Sequence, residues 1–233
     1  MQVIGLKAFK DNYIWVIQEG EQLAIVDPGQ AEPVLDFLRN NQLSPSVILL
    51  THEHNDHIGG LAQMLEHYPN CQVIGPSEVS GLVDKVVKDG DSFDLFGYQV
   101  EVFKTAGHTK EHISYLVDDK LFCGDALFSA GCGRVFTGDF QAQFEALQVF
   151  NSLGDQILVY AGHEYTLTNL AVAMEIEPDH RENADVYKRV KQQREDGLAS
   201  LPSTIGLEKK INLFMRAKSV EEFTKLRKKR DQF

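Results

Sequence analysis

Residues Ser46-Val47-Ile48-Leu49-Leu50 form an apolar, β-branched run, and Thr51-His52-Glu53-His54-Asn55-Asp56-His57 follows it directly. The first segment reads as a buried strand. The second places three imidazoles and a carboxylate at its carboxyl end, where α/β sheets carry their chemistry. A fold that accepts this pair of segments must bury the strand and still leave the end of it open to a ligand. Packing gives no reason for so many neighbouring imidazoles, whereas metal binding does. His52 and His54 alternate by two, so an extended backbone sends both side chains the same way. Asp56 and His57 lie just beyond, where the chain turns toward a helix. One metal cannot easily take all four; two adjacent metals can, with His52 and His54 on one and Asp56 and His57 on the other.

The remaining candidate ligands also follow expected strands. Gly107-His108-Thr109 comes after the strand ending near Lys104, Gly124-Asp125 after Leu121–Cys123, and Gly162-His163-Glu164 after Ile157–Tyr160. Glycine beside each polar residue lets the backbone turn sharply and approach a metal closely. Asp27, in Asp-Pro-Gly, either supports a ligand imidazole or caps its own turn.

Earlier strands are expected at Val3–Leu6, Ile14–Gln18 and Leu23–Val26, and later ones at Gln72–Ile74, Tyr98–Lys104 and Ser114–Val117. Helical spacing marks Ala31–Asn41, a segment from about Ile58 to Tyr68, and Phe140–Leu153. After His163 the pattern changes to helices at Tyr165–Glu175, Asn183–Glu195 and Glu221–Lys229, with no strand expected among them. Ser219 and Glu222 have capping-box spacing. The expected organisation is a strand-rich domain over 1–164 followed by a small all-helical domain over 165–233.

The chain has 233 residues, 43% of them hydrophobic, enough for one good core plus a small satellite. Its net charge of −11 argues against nucleic-acid binding. Yet residues 209–230 carry nine Lys or Arg against two Glu, a basic segment that reads as a solvated helix face or as a docking surface for a small anion. No apolar run is long enough for a membrane helix, and the amino terminus lacks a signal-peptide pattern. Three cysteines without a CxxC pair argue against a disulfide framework, so a cytoplasmic location is expected.

The combination THEHNDHIGG, GHT, GDALF and GHEYT resembles the metallo-β-lactamase fold superfamily. Together with AGCGRVF and the closing RKKRDQF, it resembles more narrowly the glyoxalase II, or hydroxyacylglutathione hydrolase, family. NYIWVI and VDPG extend the likeness over essentially the whole chain. The resemblance implies an α/β fold, a four-layer αββα sandwich followed by the helical domain. It implies two divalent metals, zinc first and iron or manganese with the same donors. His52, His54 and His108 would bind one metal, Asp56, His57 and His163 the other, and Asp125 would bridge them. A hydroxide between the metals would attack a thioester carbonyl, with Asp56 and Asp125 as its catalytic carboxylates. The substrate implied is S-D-lactoylglutathione, cleaved to glutathione and D-lactate; a monomer with no nucleic-acid or membrane partner is expected. Arg134, Phe136, Tyr165, Arg227 and Arg230 match the positions that hold glutathione. Arg227 and Arg230, three apart on a helix, could grip a carboxylate together.

Three positions depart from the pattern. Glu53 stands where many relatives have histidine, but points off the ligand face. Phe136 replaces a tyrosine and loses a hydroxyl, and Ala106 replaces a proline. His67, His112 and His180 read as structural or surface residues, and Cys132 is not needed as a nucleophile. A glutathione persulfide dioxygenase of the same fold and a non-catalytic metal-binding module are the competing readings.

Overall fold

Two apolar runs, Val3–Leu6 and Tyr13–Ile17, lie within the first nineteen positions, and in a computed structural model describing Met1–Phe233 they belong to an antiparallel hairpin of β1 (Gln2–Ala8) and β2 (Asn12–Glu19). β3 (Gln22–Val26) adds antiparallel to β2. From there the chain crosses over through helices. α1 (Ala31–Asn41) leads to β4 (Val47–Leu49), and α2 (Asn55–Ile58) with α3 (Leu61–His67) leads to β5 (Gln72–Gly75). β3, β4, β5 and the short β6 (Lys85–Val86) are all parallel, as strands joined by helical crossovers must be. The six-stranded sheet runs in sequence order, β1 to β6. Val34, Leu35 and Leu38 of α1 and Leu61 and Met64 of α3 pack on Ile14, Val16, Leu23, Ile25 and Ile48. β4 is so enclosed that Ile48 and Leu49 expose nothing, and the polar residues following it emerge from the heart of the sheet.

These elements belong to one compact unit, Met1–Lys104 with Glu111–Asp118. It also contains a meander of β7 (Ser92–Leu95), β8 (Tyr98–Lys104) and β9 (Ile113–Val117). Two bonds tie β9 to the end of β4. The Tyr115 hydroxyl donates to the Leu50 carbonyl at 2.7 Å, and the Ile113 amide donates to Thr51 O at 3.0 Å.

The second compact unit is Thr105–Lys110 with Asp119–Phe233. In it β10 (Lys120–Gly124) pairs in parallel with β11 (Leu158–Ala161), the two joined through α4 (Phe140–Ser152). Asp139 caps α4 by accepting from the Ala142 amide. α5 (Thr166–Ile176) and α6 (Arg181–Glu195) follow, then β12 (Ser203–Thr204), α7 (Ile205–Ile211), α8 (Leu213–Arg216) and α9 (Val220–Arg230). No helix is long and apolar enough to cross a membrane.

Two expectations need correction. A strand does occur after His163: β12 pairs antiparallel with β11 over two residues, too short to leave an alternation in the sequence. The helix expected from Ile58 to Tyr68 is two helices, broken at Gly59-Gly60. At this break the Gly60 amide donates to Pro28 O at 2.9 Å, so the backbone serves the Asp27-Pro28-Gly29 loop instead of the helix. The approach demands glycine on both sides. A Cβ at Gly60 would meet Pro28 O at 2.5 Å, and one at Gly29 would lie 1.7 Å from the Asp56 carbonyl oxygen. Gly29→Ala should therefore cost about 3 kcal/mol or more, seen as a fall of roughly 6 °C or more in Tm. Gly81→Ala, where a Cβ meets nothing within 4 Å, should leave Tm nearly unchanged.

Candidate metal centre

Asp27 follows β3 in a left-handed backbone conformation, φ +52. Its amide donates to Leu49 O at 3.0 Å, and its carboxylate faces the residues that leave β4. Oδ1 accepts the Thr51 amide at 2.8 Å and Oδ2 the Thr51 hydroxyl at 2.6 Å. Oδ2 also lies 3.0 Å from His57 Nδ1. A carboxylate only accepts, so His57 carries its proton on Nδ1 and its lone pair on Nε2. The same reasoning extends to His52. The Thr51 hydroxyl has given its hydrogen to Asp27, so its oxygen accepts from His52 Nδ1 at 3.0 Å. The His52 lone pair is then on Nε2 as well. Of the two readings of Asp27, the structure supports the one in which it orients imidazoles.

His52 and His57 are buried, with ring centroids 4.1 Å apart. His52 Nε2 is 3.2 Å from His54 Nδ1, as the alternation predicts. Asp56 and His57 lie in α2, where Asn12 Nδ2 donates to Asp56 Oδ2 at 3.0 Å and to its carbonyl at 3.3 Å. His57 Nε2 is 3.7 Å from Asp56 Oδ2. Glu53 is exposed, and its amide donates to Glu78 Oε1, as befits a residue off the ligand face. Buried His112 stacks on His52 at 4.8 Å.

In the second unit, Gly124 (φ +46) turns the chain out of β10 and delivers Asp125, and His163 follows β11. Asp125 Oδ2 is 3.4 Å from His108 Nε2 and 3.4 Å from His163 Nε2. His108 Nδ1 donates to the Arg134 carbonyl at 2.9 Å, which again puts the lone pair on Nε2. Gly107 (φ +132) lets the loop lie against Gln143 of α4, and Gly133 lets backbone approach Asp125 and His108. A Cβ at Gly133 would sit 2.1 Å from Asp125 O and 2.8 Å from His108 Nδ1.

These spacings fit metal ligation. Two ligand atoms about 2.0–2.1 Å from one tetrahedral ion lie about 3.3 Å apart. The separations within His52–His54, His108–Asp125 and His163–Asp125 are 3.2–3.4 Å. The donors are imidazole and carboxylate throughout. All three cysteines are buried and free of disulfides, and burial pushes the Cys132 thiol up to about 11 even with Arg227 beside it. The donor set therefore suits divalent zinc, iron or manganese and contains no thiolate.

The expected glutathione contacts fall into two kinds. Arg134 is half exposed, its Nε 3.2 Å from Asp231 Oδ1. Phe136 is 63% exposed, with its edge toward the His108 ring and the Arg134 guanidinium over its face. Tyr165 stacks on His163 at 4.7 Å, the planes 6° apart. Arg227 is buried: it donates to Cys132 O and to Asp231 Oδ1, both at 2.8 Å, and lies over Phe214. Arg230 is half-buried and reaches Asn169 Oδ1 at 3.4 Å; burial and neighbouring Arg227 lower its pKa. Arg227 and Arg230 thus rest on different partners. Sequence reading gave no role to Asn12, Thr51, Glu78, Phe128, Asn169 and Glu208, although Asn12, Thr51 and Phe128 lie inside NYIWVI, THEHNDHIGG and GDALF.

A family profile described as hydroxyacylglutathione hydrolase C-terminus matches residues 164–233, and one for the metallo-beta-lactamase superfamily matches residues 9–94. The hydroxyacylglutathione hydrolase of Glaesserella parasuis is 48% identical to this chain, with both chains covered in full. That of Haemophilus ducreyi is 47% identical, again over all of both chains. Among solved structures, ETHE1 from Myxococcus xanthus superposes with a TM-score of 0.77 at 25% identity, covering 98% of this chain and 90% of the other. The metallo-β-lactamase fold expected from the sequence is the fold of this chain.

Asp27→Asn, which replaces the acceptor of His57 with an amide, should weaken metal binding about 10- to 100-fold in competition with a chelator. Cys132 should resist alkylation at pH 8 in the native protein and react once unfolded. Its raised pKa favours the folded state below about pH 9, and that contribution fades as pH rises toward 11.

Proposed function

This chain belongs to the hydroxyacylglutathione hydrolase family, and from that footing we propose how its own residues divide the work on a glutathione thioester. It is a hydrolase of the glyoxalase II type, dependent on divalent metal ions. The proposed ligands are His52, His54 and His108 for one ion and Asp56, His57 and His163 for the other, with Asp125 shared. The observation that carries this reading is Asp125 Oδ2, equally spaced at 3.4 Å from two imidazole nitrogens on separate loops. When bound, such ions supply a nucleophile from water near neutral pH and polarise an acyl oxygen.

The protein's part is to hold donors and substrate in place. Asp27 fixes the tautomers of His57 and, through Thr51, of His52. The Arg134 carbonyl does the same for His108. Asn12 aims the Asp56 carboxylate, which can accept a hydrogen bond from the attacking water. The leaving group is a thiolate whose conjugate acid has a pKa near about 8.5, so no strong general acid is needed. Cys132, held protonated, does not compete as a nucleophile.

The substrate in this reading is S-D-lactoylglutathione, released as glutathione and D-lactate. Its anionic glutathione half would meet Arg134, Arg230 and Tyr165, with the exposed Phe136 ring against its apolar atoms. Arg227, buried on Cys132 and Asp231, would act through its charge and by shaping the 131–134 loop. The helical segment 165–233 is the proposed glutathione-binding region. Zinc is the proposed metal, with iron or manganese bound by the same atoms. A monomer is proposed to act in the cytoplasm, where glutathione stays reduced.

Thiol release from S-D-lactoylglutathione should be abolished by a chelator and restored by zinc. Arg230→Ala should raise KM about tenfold with kcat nearly unchanged, the sign of lost uniform binding. A metal-loaded protein that turns over no glutathione thioester would sink the proposal. Oxygen uptake with glutathione persulfide would favour the dioxygenase instead.

A further inference from the structure

Just beyond Asp125 the chain folds back in a tight hairpin. Phe128 and Gly131 each donate an amide to the other's carbonyl at 3.0 Å, leaving Ser129 and Ala130 at the tip. Ala130 has φ +55, a conformation that side-chain-bearing residues rarely adopt. A Cβ at Gly131 would lie 2.3 Å from the Asn169 amide and would displace it.

A buried carboxylate holds this tip. Glu208, in α7, exposes nothing to solvent and has no ion-pair partner. Oε2 accepts the Ala130 amide at 2.7 Å and Asn212 Nδ2 at 3.2 Å. Oε1 accepts the Ser129 hydroxyl at 2.8 Å and the Ser203 hydroxyl. Asn212 also donates to Phe128 O at 3.2 Å and Gly131 O at 3.0 Å, and Asn169 to Ser129 O at 3.1 Å. The Ser129 hydroxyl and carbonyl, the Ala130 amide and the Phe128 and Gly131 carbonyls are thus anchored on α5, α7 or the residue after it. Burying a carboxylate is costly, and here four donors offset the cost.

What the anchor controls is Phe128. Its ring meets His163 edge to face at 5.7 Å and Tyr165 at 5.1 Å, and these two rings stack on each other. The chain leaving the turn carries Arg134, whose carbonyl fixes His108. We infer that Glu208 is a positioning residue, which through the Phe128–Gly131 turn sets both the ligand His163 and the substrate-facing Tyr165. This rests on the ligand and glutathione roles proposed above.

The test compares Glu208→Met, Glu208→Gln and Ser129→Ala with the wild type. Two readouts are taken: kcat and KM for S-D-lactoylglutathione, and the metal retained per chain against a graded chelator. Gln can keep Ala130 and Asn212 on its carbonyl oxygen and donate its amide to Ser129 and Ser203, whose hydroxyls can rotate to accept. Glu208→Gln should therefore stay within about twofold of the wild type in KM and in the chelator concentration for half-release. Met leaves the Ala130 amide unmet. Glu208→Met should raise KM about tenfold and release one metal at a tenfold lower chelator concentration. Ser129→Ala removes one donor and serves if Glu208→Met does not fold, with a shift of about threefold in both readouts. Variants that lower Tm yet keep KM and metal retention within twofold of the wild type would overturn the inference. If the wild type turned over no thioester, the functional reading would fail, and metal retention would still decide the role of Glu208.

Discussion

One carboxylate sets the chemistry of the strand end. Asp27 stands just past the end of β3, which pairs with β4, and its two oxygens take the amide and hydroxyl of Thr51 and the Nδ1 proton of His57. The Thr51 hydroxyl passes the constraint to His52. Two imidazoles, five residues apart in sequence, thereby present Nε2 lone pairs from nearly adjacent rings. A neutral imidazole has two tautomers, and only one makes a ligand of a given nitrogen. Asp27 removes that freedom before any metal arrives. The left-handed backbone of Asp27 is part of the same device, since it turns the carboxylate toward β4 while the next residues begin the Pro-Gly turn.

The same principle recurs with different atoms in the second unit, where the Arg134 carbonyl plays for His108 the part Asp27 plays for His57. Both arrangements require backbone to run against ligand-bearing backbone, and glycine makes this possible. Gly29 and Gly60 allow the Asp27 loop and α2 to touch, and Gly133 allows Arg134 to reach His108 across the Asp125 carbonyl. The glycines flanking each polar motif are therefore read better as conditions for close approach than as sources of flexibility.

Much of this was legible in the sequence because it rests on local rules. The alternation of His52 and His54 is a strand property carried past the strand, and α1 follows from the spacing of Val34, Leu35 and Leu38. The Ser219 cap forms as its spacing implies, the hydroxyl accepting the Glu222 amide, while Glu222 reaches back to the Lys218 amide. Less legible were features set by contacts distant in sequence. Nothing in Asp-Pro-Gly distinguishes a turn cap from an imidazole anchor until β3 and β4 are paired. The break at Gly59-Gly60 answers to Pro28, some thirty positions away, and the role of Glu208 to a turn nearly eighty residues earlier. Two-residue β12 leaves no period to read.

The basic carboxyl terminus shows how far charge alone can mislead. Spacing on α9 makes Arg227 and Arg230 look equivalent, three residues apart on one helix. Burial separates them. Arg227 is enclosed, stacked over Phe214 and committed to Cys132 and Asp231, so that its planar fork fixes the 131–134 loop. Asp231 also receives Arg134, so one carboxylate offsets two guanidinium groups. The cluster of Arg134, Arg227 and Arg230 with Asp231 therefore keeps an excess positive charge in a chain that is acidic as a whole. In the proposed binding mode an anion drawn there would meet a field supplied largely by groups already held in place, and the more accessible guanidiniums of Arg134 and Arg230 would make the contacts.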